Sequence, residues 1–381
     1  MSLVWERNTA EDQPRLHCLI LGIGRYEHLD AVLDRQCCVD SAQEFIRFLV
    51  KNADRFDAPL QSIECVISDP SIDPAQTKDK ISIPDDPLGD KTVEVANGKL
   101  ENVRDACSDW LDRCREGDIM LCYACSHGVA GLDNSHLLVL EDFDLNAGNP
   151  AEKLLDVGAI ARFLPARKKA GACWVFYDAC QEVLPQLVGL VNGASAYTPV
   201  AATVQELVSC RVRSVGLAAS RFGQYAEAAN HDGLTNLSRA LLHGLEKCLI
   251  EDDSLPWLVT NSIFHYNRIG DLARNFFGLR LETDLFSDDL KKVSLMELEE
   301  LVIPVVVSSN PSHLIRNATQ AEIHNGDPNQ PPLTRPDAAS PWKLEIRHSP
   351  GVHTLSVTKD DGKRIDQEFT LSPPFVCIEL T

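Results

Sequence analysis

Two uncharged apolar runs, each stopping abruptly at polar residues, limit most sharply what this chain can fold into. One is Cys173-Trp174-Val175-Phe176-Tyr177, which ends at Asp178-Ala179-Cys180. The other is Ile119-Met120-Leu121-Cys122-Tyr123-Ala124-Cys125, which ends at Ser126-His127-Gly128. Runs of this length with polar ends suit strands buried on both faces of a parallel sheet. In such sheets ligands and chemistry collect beyond the carboxyl ends of the strands. If the two strands are neighbours, a thiol and an imidazole meet at one sheet edge.

That pair is what a cysteine nucleophile needs. A thiol with an ordinary pKa of about 8.5 is only a few per cent thiolate at neutral pH. An imidazole activates it and can protonate a leaving amine. Gly128, without a Cβ, lets its backbone N–H approach a substrate carbonyl. With the N–H of Cys180 it would form an oxyanion hole, each donor of which is worth roughly 3 kcal/mol. The plain alternative for Cys180 is a packed core thiol. Cys125 is closer to His127 in sequence but shares its face only if the strand continues through Ser126, so it is read as packing. Cys122 and Cys125 form a C-x-x-C, yet with no second pair at finger-like spacing no zinc site is expected.

A His-Gly after one apolar strand and an Asp-x-Cys after a later one resemble the caspase–metacaspase superfamily of cysteine peptidases. Leu16-His17-Cys18-Leu19-Ile20-Leu21-Gly22-Ile23-Gly24 resembles the family's first strand, and Cys37-Cys38-Val39-Asp40-Ser41-Ala42 the start of its first helix. Gly216-Leu217-Ala218-Ala219-Ser220, Gly223-Gln224 and Gly233-Leu234 resemble the later strand and helix of bacterial members. The likeness covers residues 14 to 280 and implies Cys180 and His127 as a catalytic dyad. The chain departs from the family's Ser-Gly-His-Gly at Cys125-Ser126, and from the metacaspase His-Ser-Gly at Gln181-Glu182-Val183.

The same resemblance bears on specificity. Caspases that cut after aspartate carry glutamine two residues before the nucleophile, whereas metacaspases carry aspartate, as this chain does at Asp178. Asp40 matches a second metacaspase acid that lines the same pocket. Two carboxylates in a partly desolvated pocket repel an acidic side chain and favour a guanidinium or ammonium. Cleavage after Arg or Lys is therefore expected, Arg preferred. The plainer readings are a loop-bonding role for Asp178 and an exposed first-turn helix acid for Asp40.

Composition agrees with a soluble enzyme and excludes other classes. The 381 residues are 44 % hydrophobic, enough for a large α/β domain and a smaller one. A net charge of −20 opposes binding to nucleic acid or anionic lipid. A basic protein partner or peptide substrate suits it better, although a solvated acidic surface is the plainer reading and the favoured one. Thirteen cysteines without secreted-scaffold spacing, no secretory leader at residues 1–8 and no long apolar stretch point to a reduced cytoplasmic protein without a membrane span. No cofactor or metal is expected. The acidic clusters at Glu141, Asp142 and Asp144 and at Glu251, Asp252 and Asp253 are read as solvated charge rather than a calcium site.

The expected architecture is a caspase-like α/β three-layer sandwich, with a mostly parallel central sheet flanked by helices. Apolar spacing predicts strands at 16–24, 62–67 and 214–219 and helices at 38–50, 100–114, 233–249 and 259–277. Residues 69–98 read as a long loop partly ordered by Ile81, Ile83 and the strand-like Thr92-Val93-Glu94-Val95, 135–140 as an edge-like strand, and Asp156 as the cap of a helix that Pro165 ends. The segment 185–212, with a basic tip at Arg211 and Arg213, reads either as a processing linker or as an ordinary surface excursion. Residues 1–300 are expected as the peptidase domain, 301–341 as a connecting strand and proline-rich linker, and 342–381 as a small antiparallel β unit. The expected function is a regulated cysteine endopeptidase acting on protein or peptide substrates, with activity released by processing or a partner and, by likeness to prokaryotic relatives, a role in cell death or antiviral defence. The alternatives are a silent or latent scaffold that binds partners and, more remotely, a thiol acyltransferase or reductase.

Overall fold

The computed structural model describes residues 2–7, 13–73, 78–85, 89–130, 135–168, 170–180, 196–201, 203, 205, 213–221, 233–248, 269, 272–277, 284–288, 303–309, 318–324, 342–346, 351–359, 361–371 and 376–380. The chain divides into two compact units, one of residues 1–239 with 281–297 and the other of 240–280 with 298–381. The first unit runs β1 (Leu3–Glu6), β2 (Leu16–Ile23), α1 (Gln36–Lys51), β3 (Leu60–Ser68), β4 (Lys78–Asp85), β5 (Gly89–Ala96), α2 (Leu100–Arg113), β6 (Ile119–Cys125), β7 (Gly128–Ala130), β8 (His136–Val139), β9 (Leu154–Asp156), α3 (Val157–Lys168), β10 (Ala172–Asp178) and β11 (Arg213–Ala218). Helix α4 (Asn236–His243) follows, and β12 (Asp284–Asp288) completes the unit.

Nine strands form the central sheet in the order β12-β11-β10-β6-β2-β3-β5-β4, with β1 beside β3. The inner strands are parallel, and their register aligns their carboxyl ends, Gly22 opposite Cys125 and Cys125 opposite Asp178. Burial on both faces is why these strands are apolar throughout: every residue of β2 and β10 is buried. Helix α1 covers one face, where Phe45 stacks on Tyr123 at 4.6 Å. The other face carries α2 and α3, with Trp110, Ile160 and Leu164 in one cluster with Leu21, Val175 and Tyr177. Each such fully buried side chain contributes about 1.5–3 kcal/mol. The α/β layering expected from the apolar runs is present. No described helix is long and apolar enough to cross a membrane.

Several elements differ from expectation. Within residues 69–98 the order expected at Ile81, Ile83 and 92–95 extends to a full antiparallel hairpin, β4–β5, because Ile81, Ile83 and Val95 are buried and outweigh the prolines and charges around them. Residues 136–139 are the middle strand of a small β7-β8-β9 sheet, not an edge. Asp156 does cap α3, accepting the Ala159 N–H at 2.9 Å, but the helix runs past Pro165 to Lys168. The helix continues through Pro165 despite the lost donor and the ring's clash with the carbonyl one turn back, with Ile160, Ala161 and Leu164 buried in the turns before it. Most of the 185–212 segment, including Arg211, lies outside the described residues, while Arg213 opens β11. Residues 259–268 and the acidic 251–253 cluster also lie outside them.

The second unit contains β13 (Ile303–Ser309), β14 (Ala318–His324), β15 (Trp342–Ile346), β16 (Gly351–Lys359), β17 (Arg364–Leu371) and β18 (Val376–Leu380). They make two three-stranded sheets, β15-β13-β18 and β14-β16-β17, around Val305, Val307, Trp342, Leu355 and Val357. The pairing is antiparallel except between β13 and β18. Strand β14 lies within the stretch expected as a linker, held by Ala321 opposite Val357 and Ile323 opposite Leu355. The turn at Gly362, with φ of 77°, joins β16 to β17.

Glu141, read as solvated charge, is instead fully buried. It accepts Arg25 Nη2 at 2.8 Å, Ser68 Oγ at 2.7 Å and the Gly98 N–H at 3.0 Å. Arg25 also donates to the carbonyls of Asp69 and Ile72 and approaches Asp79 at 3.7 Å. This guanidinium serves two buried carboxylates, and Asp79 receives less. Its Oδ1 has no hydrogen-bond partner among the described residues. Burial pushes the Asp79 carboxyl up to about 6. A carboxyl raised on folding stabilises the fold below its unfolded pKa of about 3.9, and that contribution is lost as pH rises through about 6. Asp79→Asn should therefore flatten stability between pH 4 and 7, a range over which this group costs wild type up to about 3 kcal/mol. Urea denaturation across that range checks this, and parallel pH profiles for the two proteins would contradict it.

Candidate active site

Beyond the aligned strand ends, three loops converge: Gly24-Arg25-Tyr26 after β2, Ser126-His127-Gly128 after β6, and Ala179-Cys180 after β10. Strand β6 stops at Cys125 and Ser126 makes a bend, so His127 leaves the sheet plane that Cys125 keeps. Cys125 is fully buried and its thiol is pushed up to about 12 by burial, with Cys38 and Asp178 alongside. It is a packing thiol. Cys180 is half-buried and not part of a disulfide.

His127 is fixed at several atoms. Its backbone N–H donates to Tyr26 Oη at 2.9 Å and its carbonyl accepts the Val139 N–H at 2.9 Å. The imidazole lies against the Tyr26 ring, with centroids 5.0 Å apart. Nε2 is 2.7 Å from the Leu33 carbonyl. A carbonyl only accepts, so Nε2 must carry the proton, and in the neutral ring the basic lone pair is on Nδ1. The Leu33 carbonyl is offered by a short turn in which Asp30 caps the Val32 N–H at 3.0 Å.

Gly128 brings the His and Cys segments into contact. A Cβ on Gly128 would stand 2.0 Å from Tyr177 Oη and 2.3 Å from the Cys180 carbonyl oxygen, so no other residue fits there. Hydrogen bonding in the β7–β8 ladder alternates along the strand. Because His127 accepts from Val139, the N–H of Gly128, one residue on, is directed away from β8.

The two acids take different positions. Asp178 is buried, and its Oδ2 accepts Tyr123 Oη at 2.9 Å, Ser238 Oγ at 2.7 Å and Thr235 Oγ1. Burial raises its pKa against the lowering effect of these hydroxyls. Asp40 is half-buried on α1, takes Gln36 Nε2 at 3.1 Å, and lies directly beneath Gly233, whose φ is 80°. Ser41 and Thr235 link the two acids: the Thr235 N–H donates to Ser41 Oγ at 2.9 Å, and Thr235 Oγ1 donates to Asp178. Both carboxylates thus adjoin the segment from Gly233 to Ser238, with Asp40 the more open. Among the described residues no group of three or more Cys, His, Asp or Glu side chains is arranged to hold a metal ion.

Tyr26 and the Leu33 carbonyl escaped the sequence reading. A tyrosine after a glycine-rich strand end carries no chemical signature, and a backbone carbonyl carries none at all.

Gly128→Ala should destabilise the protein by about 2–4 kcal/mol, because the Cys180 carbonyl is backbone and cannot yield. Gly148→Ala, at a glycine with open space around it, should change stability by less than about 0.5 kcal/mol. Denaturant midpoints of the two variants check this, and equal effects would contradict the contact.

No family model matches the chain, and no curated protein matches it. Solved structures do. A structural-genomics target from Geobacter sulfurreducens aligns at 12 % identity and a TM-score of 0.42, over 75 % of this chain and all of that one. The caspase-1 of Spodoptera frugiperda aligns at 10 % identity and a TM-score of 0.40, over 75 % of this chain and 88 % of that one. Likenesses at this level assign no activity.

Proposed function

We propose that the chain is a cysteine endopeptidase that uses Cys180 and His127 to cleave after Arg or Lys. The observation that carries this reading is the close approach of Gly128 to the Cys180 carbonyl, one residue beyond an imidazole whose Nε2–H is committed to Leu33. His127 Nδ1 takes the thiol proton and Sγ attacks the scissile carbonyl carbon. The N–H groups of Gly128 and Cys180 hold the resulting oxyanion. Collapse breaks the C–N bond as the imidazolium gives its proton to the leaving amine. Water then attacks the thioester with His127 as base, releasing the carboxylate and restoring the thiol.

The preference for a basic P1 side chain rests on Asp40 and Asp178 flanking one segment. Asp40 is the open carboxylate for a guanidinium. Asp178, enclosed by hydroxyls, supports the wall behind it and adds negative potential. An aspartyl side chain placed beside them would be disfavoured by several kcal/mol. Processing, an activating partner and a role in defence extend the same reading.

A panel of fluorogenic peptides varied at P1 tests this. Arginyl peptides should be cleaved fastest, lysyl peptides next and aspartyl peptides negligibly, and Cys180→Ala should lose about a thousandfold or more. Faster cleavage of aspartyl peptides would refute the acidic pocket. Residual turnover in Cys180→Ala would refute the nucleophile. If an arginyl chloromethylketone fails to label Cys180, the scaffold function replaces the protease.

A further inference from the structure

The two peptide groups flanking Cys180 are each held by a hydroxyl that the mechanism above does not use. Tyr177, three residues before the thiol, is fully buried on the α2–α3 face of β10. Its Oη lies 2.9 Å from the Leu137 carbonyl of β8 and 3.1 Å from the Cys180 carbonyl. It also sits directly under Gly128, where it leaves no room for a Cβ. Its single O–H proton, shared between these two carbonyls, therefore ties together β10, the hairpin that carries Gly128, and the turn that carries Cys180. Ser220, just beyond β11, is also buried and donates to the Ala179 carbonyl at 3.2 Å. The adjacent Ala219 N–H donates to the Tyr177 carbonyl at 2.9 Å, so the exit of β11 runs alongside the exit of β10.

In a trans peptide the carbonyl and the following N–H point in opposite directions. Fixing the Ala179 carbonyl therefore fixes the direction of the Cys180 N–H. Fixing the Cys180 carbonyl holds it in its place against Gly128. We propose that Ser220 and Tyr177 are a pair of positioning residues that clamp the peptides before and after Cys180, aiming the Cys180 N–H at the developing oxyanion. This rests on Cys180 being the nucleophile, and it adds that the oxyanion donor is preorganised by side chains from β10 and from the end of β11. Preorganisation matters because a donor already aimed where charge develops needs no reorientation during the reaction. Neither hydroxyl touches the reacting atoms.

The pair is tested with Tyr177→Phe and Ser220→Ala, each removing one hydroxyl. Against the best arginyl peptide, each should lower kcat by about 10- to 100-fold with KM within about twofold of wild type. Alkylation of Cys180 by iodoacetamide, a displacement that builds no oxyanion, should stay within about twofold. Turnover near wild type in both variants overturns the proposal. So does alkylation that falls in step with turnover, since the thiol itself would then be disturbed. Amide hydrogen exchange over residues 172–180 gives a readout that needs no catalysis. Faster exchange near Cys180 in both variants is expected, and unchanged exchange overturns the clamp. If wild type cleaves no peptide and yet the variants exchange faster, the protease reading fails and the oxyanion role with it, and the two hydroxyls only brace the loop.

Discussion

The parallel register of β2, β6 and β10 is the constraint on which the rest of the first unit depends. Gly22, Cys125 and Asp178 stand side by side, so the three loops that follow start from one level. A slip of one residue in β10 would turn Asp178 away from Tyr123 and Tyr177 away from Leu137, because strand side chains alternate faces. Close packing enforces the register. A Cβ on Gly22 would stand 2.5 Å from Ala42 of α1, and one on Gly128 would strike the Cys180 carbonyl. The sheet therefore sets where the thiol and imidazole segments begin, and the glycines set how near they come.

Buried polar groups around this sheet are handled in two ways. Asp178 is enclosed by neutral hydroxyls and links α4, β6 and β10, with no cation paired to it among the described residues. Glu141 is neutralised by Arg25, which reaches it from the exit of β2 and also bonds two carbonyls beyond β3. At the opposite end of the sheet Asp118 accepts the backbone N–H groups of Arg15 and Arg115, pairs with the Arg15 guanidinium and lies 3.4 Å from His17, which holds its carboxyl down at about 2. Each arrangement satisfies charge with donors fixed by strands, so the polar groups reinforce the register that the apolar runs establish.

Much of this was legible in the residues. Continuous apolar runs identified β2, β6 and β10 because strands buried on both faces need no polar alternation, and helical spacing of Cys38, Ala42, Phe45 and Leu49 identified α1. The β4–β5 hairpin was legible only in part, at Ile81, Ile83 and Val95, because the prolines and charges of its solvent side obscured its full length. Strand β14 was masked by the prolines around it. Glu141 looked like one of a surface cluster, since its partner Arg25 is distant in sequence. The hydroxyls of Tyr26, Tyr177 and Ser220 were invisible for a simpler reason. A tyrosine in an apolar run reads as core, and only coordinates reveal which backbone group its oxygen reaches.

The central claim is that the exits of β6 and β10 bring a working imidazole to the Cys180 thiol. Its most direct test is the rate at which iodoacetamide alkylates Cys180 at neutral pH in wild type and in His127→Gln. The account predicts a fall of about tenfold or more when the imidazole is lost, with other cysteines unchanged. Equal rates in the two proteins would contradict it.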